Sequence, residues 1–330
     1  MHCILCHSSQ IVDIQSISKA TLSSLYRKNF GIDIERLLHT DLAYMHCQDC
    51  DLRFFACLDG SIPTGDNDFY NALNQLDWYY FDEKNEYSFA KDFIKENASV
   101  LEVGCGKGAF AKYIPQSATY TGLEFSTEAK TMAAKNGINI QNISIEDLAL
   151  RYIKKSQKEK FDVACSFQVL EHVSDPHSFI ASQIKVLKSL SDSTSDSTSN
   201  SDIVGGGGQI DSSLLIIAVP SEDSFLHYVT NGILNMPPHH ISRFSDTTLQ
   251  NIAKIFSLKL ITLYHEPIQK EHYDFYKSTM LAHLLLGEKS LLDVGIYRKV
   301  VNKLSKCVKP FIKIPKNANG HTVVAVYEVV

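Results

Sequence analysis

The 330-residue sequence has no apolar run approaching the roughly 20 residues that a membrane span needs, which excludes a bilayer-crossing helix. It also has no basic surplus. Its 32 Lys and Arg stand against 37 Asp and Glu, a formal charge of −5, so there is no bulk electrostatic drive toward nucleic acid. The start, MHCILCHSSQ, lacks the charged and hydrophobic regions of a secretory signal, and a cytoplasmic location is expected. Disulfides are rare in that compartment, so the eight cysteines are tested first against metal binding. What is present is 44% hydrophobic residues, enough for a full core in one large domain with an attachment, or in two domains.

Five of the eight cysteines fall in residues 1–60. Cys3 and Cys6 form one C-x2-C pair and Cys47 and Cys50 another. Each pair can clasp a tetrahedral zinc from a tight turn, and four thiolates close the coordination shell. Structural zinc in a knuckle-like module over 1–60 is therefore expected, although the span between the pairs exceeds that of the tightest zinc signatures. Cys57 is a spare thiol, and His2, His7 and His46 are substitute ligands. A helical connector follows over 61–92, with aromatics at helical spacing in DFYNALNQLDWYYFDEKNEYSFAKDFI.

From Ser99 on, short apolar runs alternate with amphipathic stretches: SVLEVG, YTGLEF, INIQNI, FDVACSF and SLLIIAVP. This is the pattern of a parallel sheet covered by helices, an α/β Rossmann-like doubly wound fold over 93–330. The Ser/Asp/Thr/Gly stretch at 191–213 reads as a disordered loop. LKLITLYHEPI and HTVVAVYEVV are two further strands, separated by a helical insertion over 270–319. Its segment 295–316 carries seven basic residues and no acid. A solvated helix face is the favoured reading; peripheral contact with an anionic membrane or a diphosphate-linked glycan carrier is the alternative.

VLEVGCGKGAF, at 100–110, places three glycines at alternate positions after the first of these strands, where a ligand can approach backbone amides closely. A phosphate-binding loop requires Gly-Lys-Ser/Thr, but Gly108 follows Lys107. The dinucleotide fingerprint does fit, through Gly104, Gly106 and Ala109. The loop alone does not discriminate.

Its surroundings do. Glu102 precedes the loop, giving E-x-G-x-G-x-G, Glu124 ends the next strand, and FDVACSFQVLEHVSDP follows. In these motifs, over roughly residues 80–265 and the last strand, the sequence resembles the class I S-adenosylmethionine-dependent methyltransferases. The resemblance implies a seven-stranded sheet of order 3-2-1-4-5-7-6 and S-adenosylmethionine as cofactor. It places Glu102, Gly104, Cys105, Gly106 and Gly108 at the methionine half, Glu124 on the ribose and Phe125 against the adenine. Ser144, Ile145 and Glu146 would meet the adenine edge, and Phe167 and Gln168 the amino-acid group. A paired-cysteine knuckle ahead of such a core resembles a known bacterial arrangement.

After the fifth core strand, the loop VPSEDSFLHYVTNGILNMPPHHISRF should face the reactive end of the cofactor. It resembles a loop of bacterial methyltransferases of small molecules and sugars. His239 and His240 are candidate general bases; in the resembling enzymes the pair matching Glu171 and His172, in LEHV, lies next to the site and sometimes takes part, which makes His172 a further catalytic candidate. Arg243 could hold an anionic substrate group or form a surface salt bridge. The expected reaction is methylation of a small metabolite or a nucleotide- or lipid-linked sugar, at oxygen or at a keto-sugar carbon. Nucleic acid is disfavoured as substrate: SFQV stands where amino-methylating enzymes of this fold carry an Asn/Asp-Pro-Pro-Tyr motif. Two rivals are an NAD-dependent oxidoreductase and a non-catalytic adaptor whose cysteine module binds a protein.

Overall fold

The computed structural model describes residues 1–76, 84–135, 137–155, 160–188, 212–287, 290–308 and 312–330. The chain opens with β1 (Ile11–Ile17), α1 (Lys19–Phe30), β2 (Leu42–Cys47) and β3 (Arg53–Cys57), then α2 (Asn67–Asn74) and α3 (Asn85–Ala90). Next come β4 (Ser99–Val103), β5 (Thr119–Leu123), α4 (Thr127–Lys135), β6 (Ile140–Gln141), α5 (Ile145–Lys155), β7 (Val163–Phe167), α6 (Pro176–Lys185) and β8 (Leu214–Pro220). The remainder is β9 (Ser242–Arg243), α7 (Asp246–Ile255), β10 (Leu258–Pro267), α8 (Tyr273–Leu286), α9 (Ile296–Val308) and β11 (Asn319–Val329).

The large sheet has the order β10-β11-β8-β7-β4-β5-β6, the expected arrangement. Its β4, β5, β6, β7 and β8 pair in parallel, while β11 runs antiparallel between β8 and β10. Burial explains why these runs are strands. All seven residues of β8 and all five of β7 are buried, as strands covered on both faces must be. Each fully buried Val, Leu or Ile side chain contributes roughly 1.5–3 kcal/mol. The expected helical insertion supplies α8 and α9; most of the expected disordered loop, and the WYY of the connector, lie outside the described residues.

Two features differ from the sequence reading. The first is the boundary of the N-terminal module. Its antiparallel sheet has the order β1-β2-β3-β9, so its fourth strand comes from the loop after β8, almost two hundred residues later. Leu5, Leu52 and Phe54 share one apolar cluster with Leu101, Leu215 and Val323 of the large sheet. The module is thus docked and cross-stitched. The second is the segment after the glycines. It forms only a four-residue 3-10 turn, Ala109–Lys112, and no α-helix. Pro115 lies close behind and disfavours helical geometry at Ile114.

Candidate functional site

The glycine bend starts where β4 ends. Gly104, Gly106 and Gly108 take φ of 72°, 52° and 73°. At Gly104 the need for glycine is twofold, since a Cβ there would also lie 2.5 Å from Val169 Cγ2. The N–H groups of Gly104 and Cys105 both donate to Leu123 O, at 2.8 and 3.1 Å, which ties the bend to the end of β5. Immediately beyond, Glu124 turns its carboxylate toward the bend. Oε2 accepts from Gly106 N–H and Oε1 from Ser126 N–H, both at 2.9 Å. Asn142, which the sequence reading did not single out, donates to the carbonyls of Glu124 (3.3 Å) and Phe125 (2.9 Å) and so fixes this corner. The Phe125 ring is 62% exposed.

Several expected cofactor residues serve the scaffold with their side chains. Glu102 is 1% exposed and accepts from the Tyr120 hydroxyl; burial pushes its carboxyl up to about 8. The Cys105 thiol is buried against Ala133 and Ile140, where it fills the space left by Gly122. Phe167 packs on Tyr87 and Phe110 in the core, and Ile145, the first residue of α5, is buried. Ser144 Oγ accepts from Asp147 N–H and caps that helix. These side chains are committed to the core or, for Ser144, to a helix cap. Glu146 remains half-buried, and Gln168, at φ 58°, reaches Thr322 Oγ1 from the end of β7 at 3.3 Å.

The carboxyl ends of β7 and β8 bring together His172, His239 and His240. One ring nitrogen from each lies within 4.8 Å of the others, and the ring centroids are 4.4–4.8 Å apart. Each Nδ1–H has an oxygen acceptor: His239 O for His172 (2.7 Å), Leu234 O for His239 (2.7 Å) and Asn235 Oδ1 for His240 (2.9 Å). The lone pair of each ring is thereby assigned to Nε2. Burial lowers the pKa of all three imidazoles, that of His172 to about 4. Neutral rings suit lone-pair donation, and the same burial makes them weaker proton acceptors. Glu171, 1% exposed, faces Nε2 of His172 at 3.8 Å and Nε2 of His240 at 4.0 Å.

Arg243 corrects an expectation. It is neither a surface ion-pair residue nor an exposed anion holder, being 4% exposed. Its Nη2 donates to Asn235 O at 2.7 Å, its guanidinium lies over the rings of Tyr44 and Phe55, and Nη1 stands 3.8 Å from Glu222. It locks the histidine loop to the small sheet. Asn235 and Glu222 were missed by the sequence reading, since nothing in their local pattern marks them. Beside them, a cleft of ≈ 370 Å³ is lined by Arg53, Glu222, His227, Tyr228 and Tyr276, a volume typical of small-molecule sites.

The cysteine pairs converge as their spacing predicted. Sγ of Cys3 and Cys50, and Sγ of Cys6 and Cys47, are each 3.5 Å apart, and all four sulfurs lie within 4.8 Å of one another. A disulfide needs about 2.05 Å. Four sulfurs about 2.3 Å from one tetrahedral ion stand about 3.8 Å apart, so the donor set fits zinc. Asp51 N–H donates to Cys47 O and His7 N–H to Cys3 O, closing the two knuckle turns. The substitute ligands are otherwise engaged: His46 bonds Asp51 at 2.7 Å, His2 Nδ1 donates to His7 O, and His7 packs on His177.

Comparison with known proteins agrees with this architecture. The family described as "Methyltransferase domain" matches residues 74–263, more than half of the chain. The ubiquinone biosynthesis O-methyltransferase of Haemophilus ducreyi is 37% identical over 133 residues, 38% of this chain and 53% of that protein. That of Glaesserella parasuis is 33% identical over 133 residues, with the same shares. The chain thus spans about half the length of the curated relatives it matches. A solved S-adenosylmethionine-dependent methyltransferase from Archaeoglobus fulgidus aligns over 80% of this chain and 100% of its own, at 14% identity and a TM-score of 0.46. The oxidoreductase reading of the glycine loop is left without support. A family match of this extent, on a seven-stranded sheet of the expected order, makes the chain a member of the class I S-adenosylmethionine-dependent methyltransferases.

Proposed function

We propose that this chain transfers the methyl group of S-adenosylmethionine to an oxygen of a small-molecule acceptor, and that its four N-terminal cysteines hold a structural zinc. The observation that carries the first part is Glu124, pinned at the mouth of the glycine bend by Gly106 and Ser126. A carboxylate has about four acceptor sites. Two take these amides, and the others are left for the ribose hydroxyls. Phe125 offers an uncovered ring to the adenine. Oxygen is favoured as the methylated atom because the curated relatives are named as O-methyltransferases. A sugar acceptor remains an expectation of the resemblance. Among the described residues, no helix is long and apolar enough to cross a membrane.

The bound cofactor supplies a methyl group made electrophilic by a positive sulfur. Held by Glu124 and the glycine bend, it would supply that methyl to the acceptor oxygen, whose proton would leave to water. Holding the acceptor in line supplies much of the acceleration. The side chains at the acceptor end are those of the histidine cluster. In the cysteine module, a closed thiolate set keeps no open position, so that zinc stabilises without reacting.

The test is a pair of binding measurements. S-adenosylhomocysteine should raise the melting temperature and NAD should not. The opposite pattern, or no response to either, would overturn the reading. Metal analysis should return one zinc for the cysteine cluster, and less than half an equivalent would remove that part.

A further inference from the structure

We propose that His172, His239 and His240, together with Glu171, form a binding site for a divalent first-row transition-metal ion at the acceptor end of the crevice. Three observations carry it. The ring nitrogens converge within 4.8 Å among the described residues. Each Nδ1–H is committed to an oxygen, which sets all three lone pairs on Nε2 and is the outer-shell pattern of metal-bound histidine. Glu171 is 1% exposed, and among the described residues neither of its carboxylate oxygens has a hydrogen-bond donor. The nearest polar atoms, Nε2 of His172 and Nε2 of His240, stand too far away at 3.8 and 4.0 Å to bond it directly. An ion between them would satisfy the carboxylate.

The donor set identifies the class of ion. Magnesium and calcium take oxygen ligands, whereas three imidazoles and one carboxylate suit zinc, cobalt, nickel or iron(II). Imidazole nitrogens about 2.1 Å from one tetrahedral ion stand about 3.4 Å apart, so rings within 4.8 Å would close by at most about 1.4 Å on binding. Unlike a closed four-thiolate set, an ion held by nitrogen and oxygen donors can expand to five-coordinate and take an outside ligand. The acceptor oxygen is the fitting one: held by the ion, its hydroxyl loses the proton to water more readily before the methyl arrives, with no change of oxidation state. That use rests on the methyl-transfer reading, but the binding of the ion does not.

Cobalt(II) is the probe, added to the full chain without cofactor. The cysteine site gives intense sulfur-to-cobalt charge-transfer absorption. The histidine site adds a second equivalent that contributes only weak visible bands. H239A/H240A is expected to lose the second equivalent while keeping the first, and Glu171→Gln to weaken it at least tenfold. If the double variant fails to fold, H240Q alone is expected to weaken it at least tenfold. A wild-type chain that takes up a single, thiolate-bound equivalent overturns the proposal, as does unchanged second-site affinity in these variants. Loss of S-adenosylhomocysteine binding with the second equivalent intact would instead sink the methyl-transfer reading and leave the metal site standing.

Discussion

The two side-chain clusters of this protein were built in opposite ways. The four cysteines arrive as local pairs, each at a turn that its own backbone hydrogen bonds close. The three histidines come from two segments 67 residues apart in sequence, and only the sheet brings them together. Yet the two regions are coupled. Phe55 N–H of β3 donates to Ile241 O, and Ile241 N–H donates to Glu171 O at 2.7 Å, so the small sheet reaches the histidine corner through two main-chain bonds. A local motif can therefore hold a non-local site in place.

The strongest way to break this pairing is C47S/C50S. Structural zinc is worth about 10–16 kcal/mol of binding in small zinc domains, so losing two ligands should empty the site and unfold the small sheet. Because β9 pairs with β3, protection of Ile241 N–H from hydrogen exchange should fall as well. Unchanged protection would show that the corner stands alone.

Glu124→Ala acts on the large sheet only. Removing the proposed acceptor of two hydroxyls, each hydrogen bond worth about 1.5–3 kcal/mol, should weaken S-adenosylhomocysteine binding by at least about 100-fold in calorimetry. The zinc content should not change.

Glu102 supplies a pH test of the core. Burial raises its pKa from the ordinary 4.5 to about 8, so the folded state keeps a proton that the unfolded state has released. Its stabilising contribution is full below 4.5 and is lost as pH rises toward 8, by at most about 1.4 kcal/mol per unit. Denaturant titrations of Glu102→Gln between pH 5 and 8 should show a flatter dependence than the parent.

The smallest effect sharpens a residue assignment. Ser144→Ala removes the cap of α5 and should cost about 1 kcal/mol with S-adenosylhomocysteine affinity unchanged. A tenfold loss of affinity with no loss of stability would restore its expected role at the adenine.

The seven core strands were legible because a strand buried on both faces must be an apolar run, and SLLIIAVP can hardly be anything else. The glycine bend and Glu124 were legible because their chemistry requires fixed spacing along the chain. β9 was not: two residues, Ser and Arg, carry no strand pattern and pair only because β3 lies beside them. For the same reason Arg243 read as a surface group, although its side chain runs under the small sheet onto Tyr44 and Phe55.

Residue order was sufficient for what short-range rules govern: the strands, the bend that needs glycine, and the C-x2-C pairs. Which face each side chain takes, and which distant loops meet, depended on packing. Glu102 and Phe167 turned inward with the alternation of their strands, and Glu171 came to lie beside His172 and His240. Contacts between residues far apart in the chain are set by how sheets stack, and no local pattern encodes them.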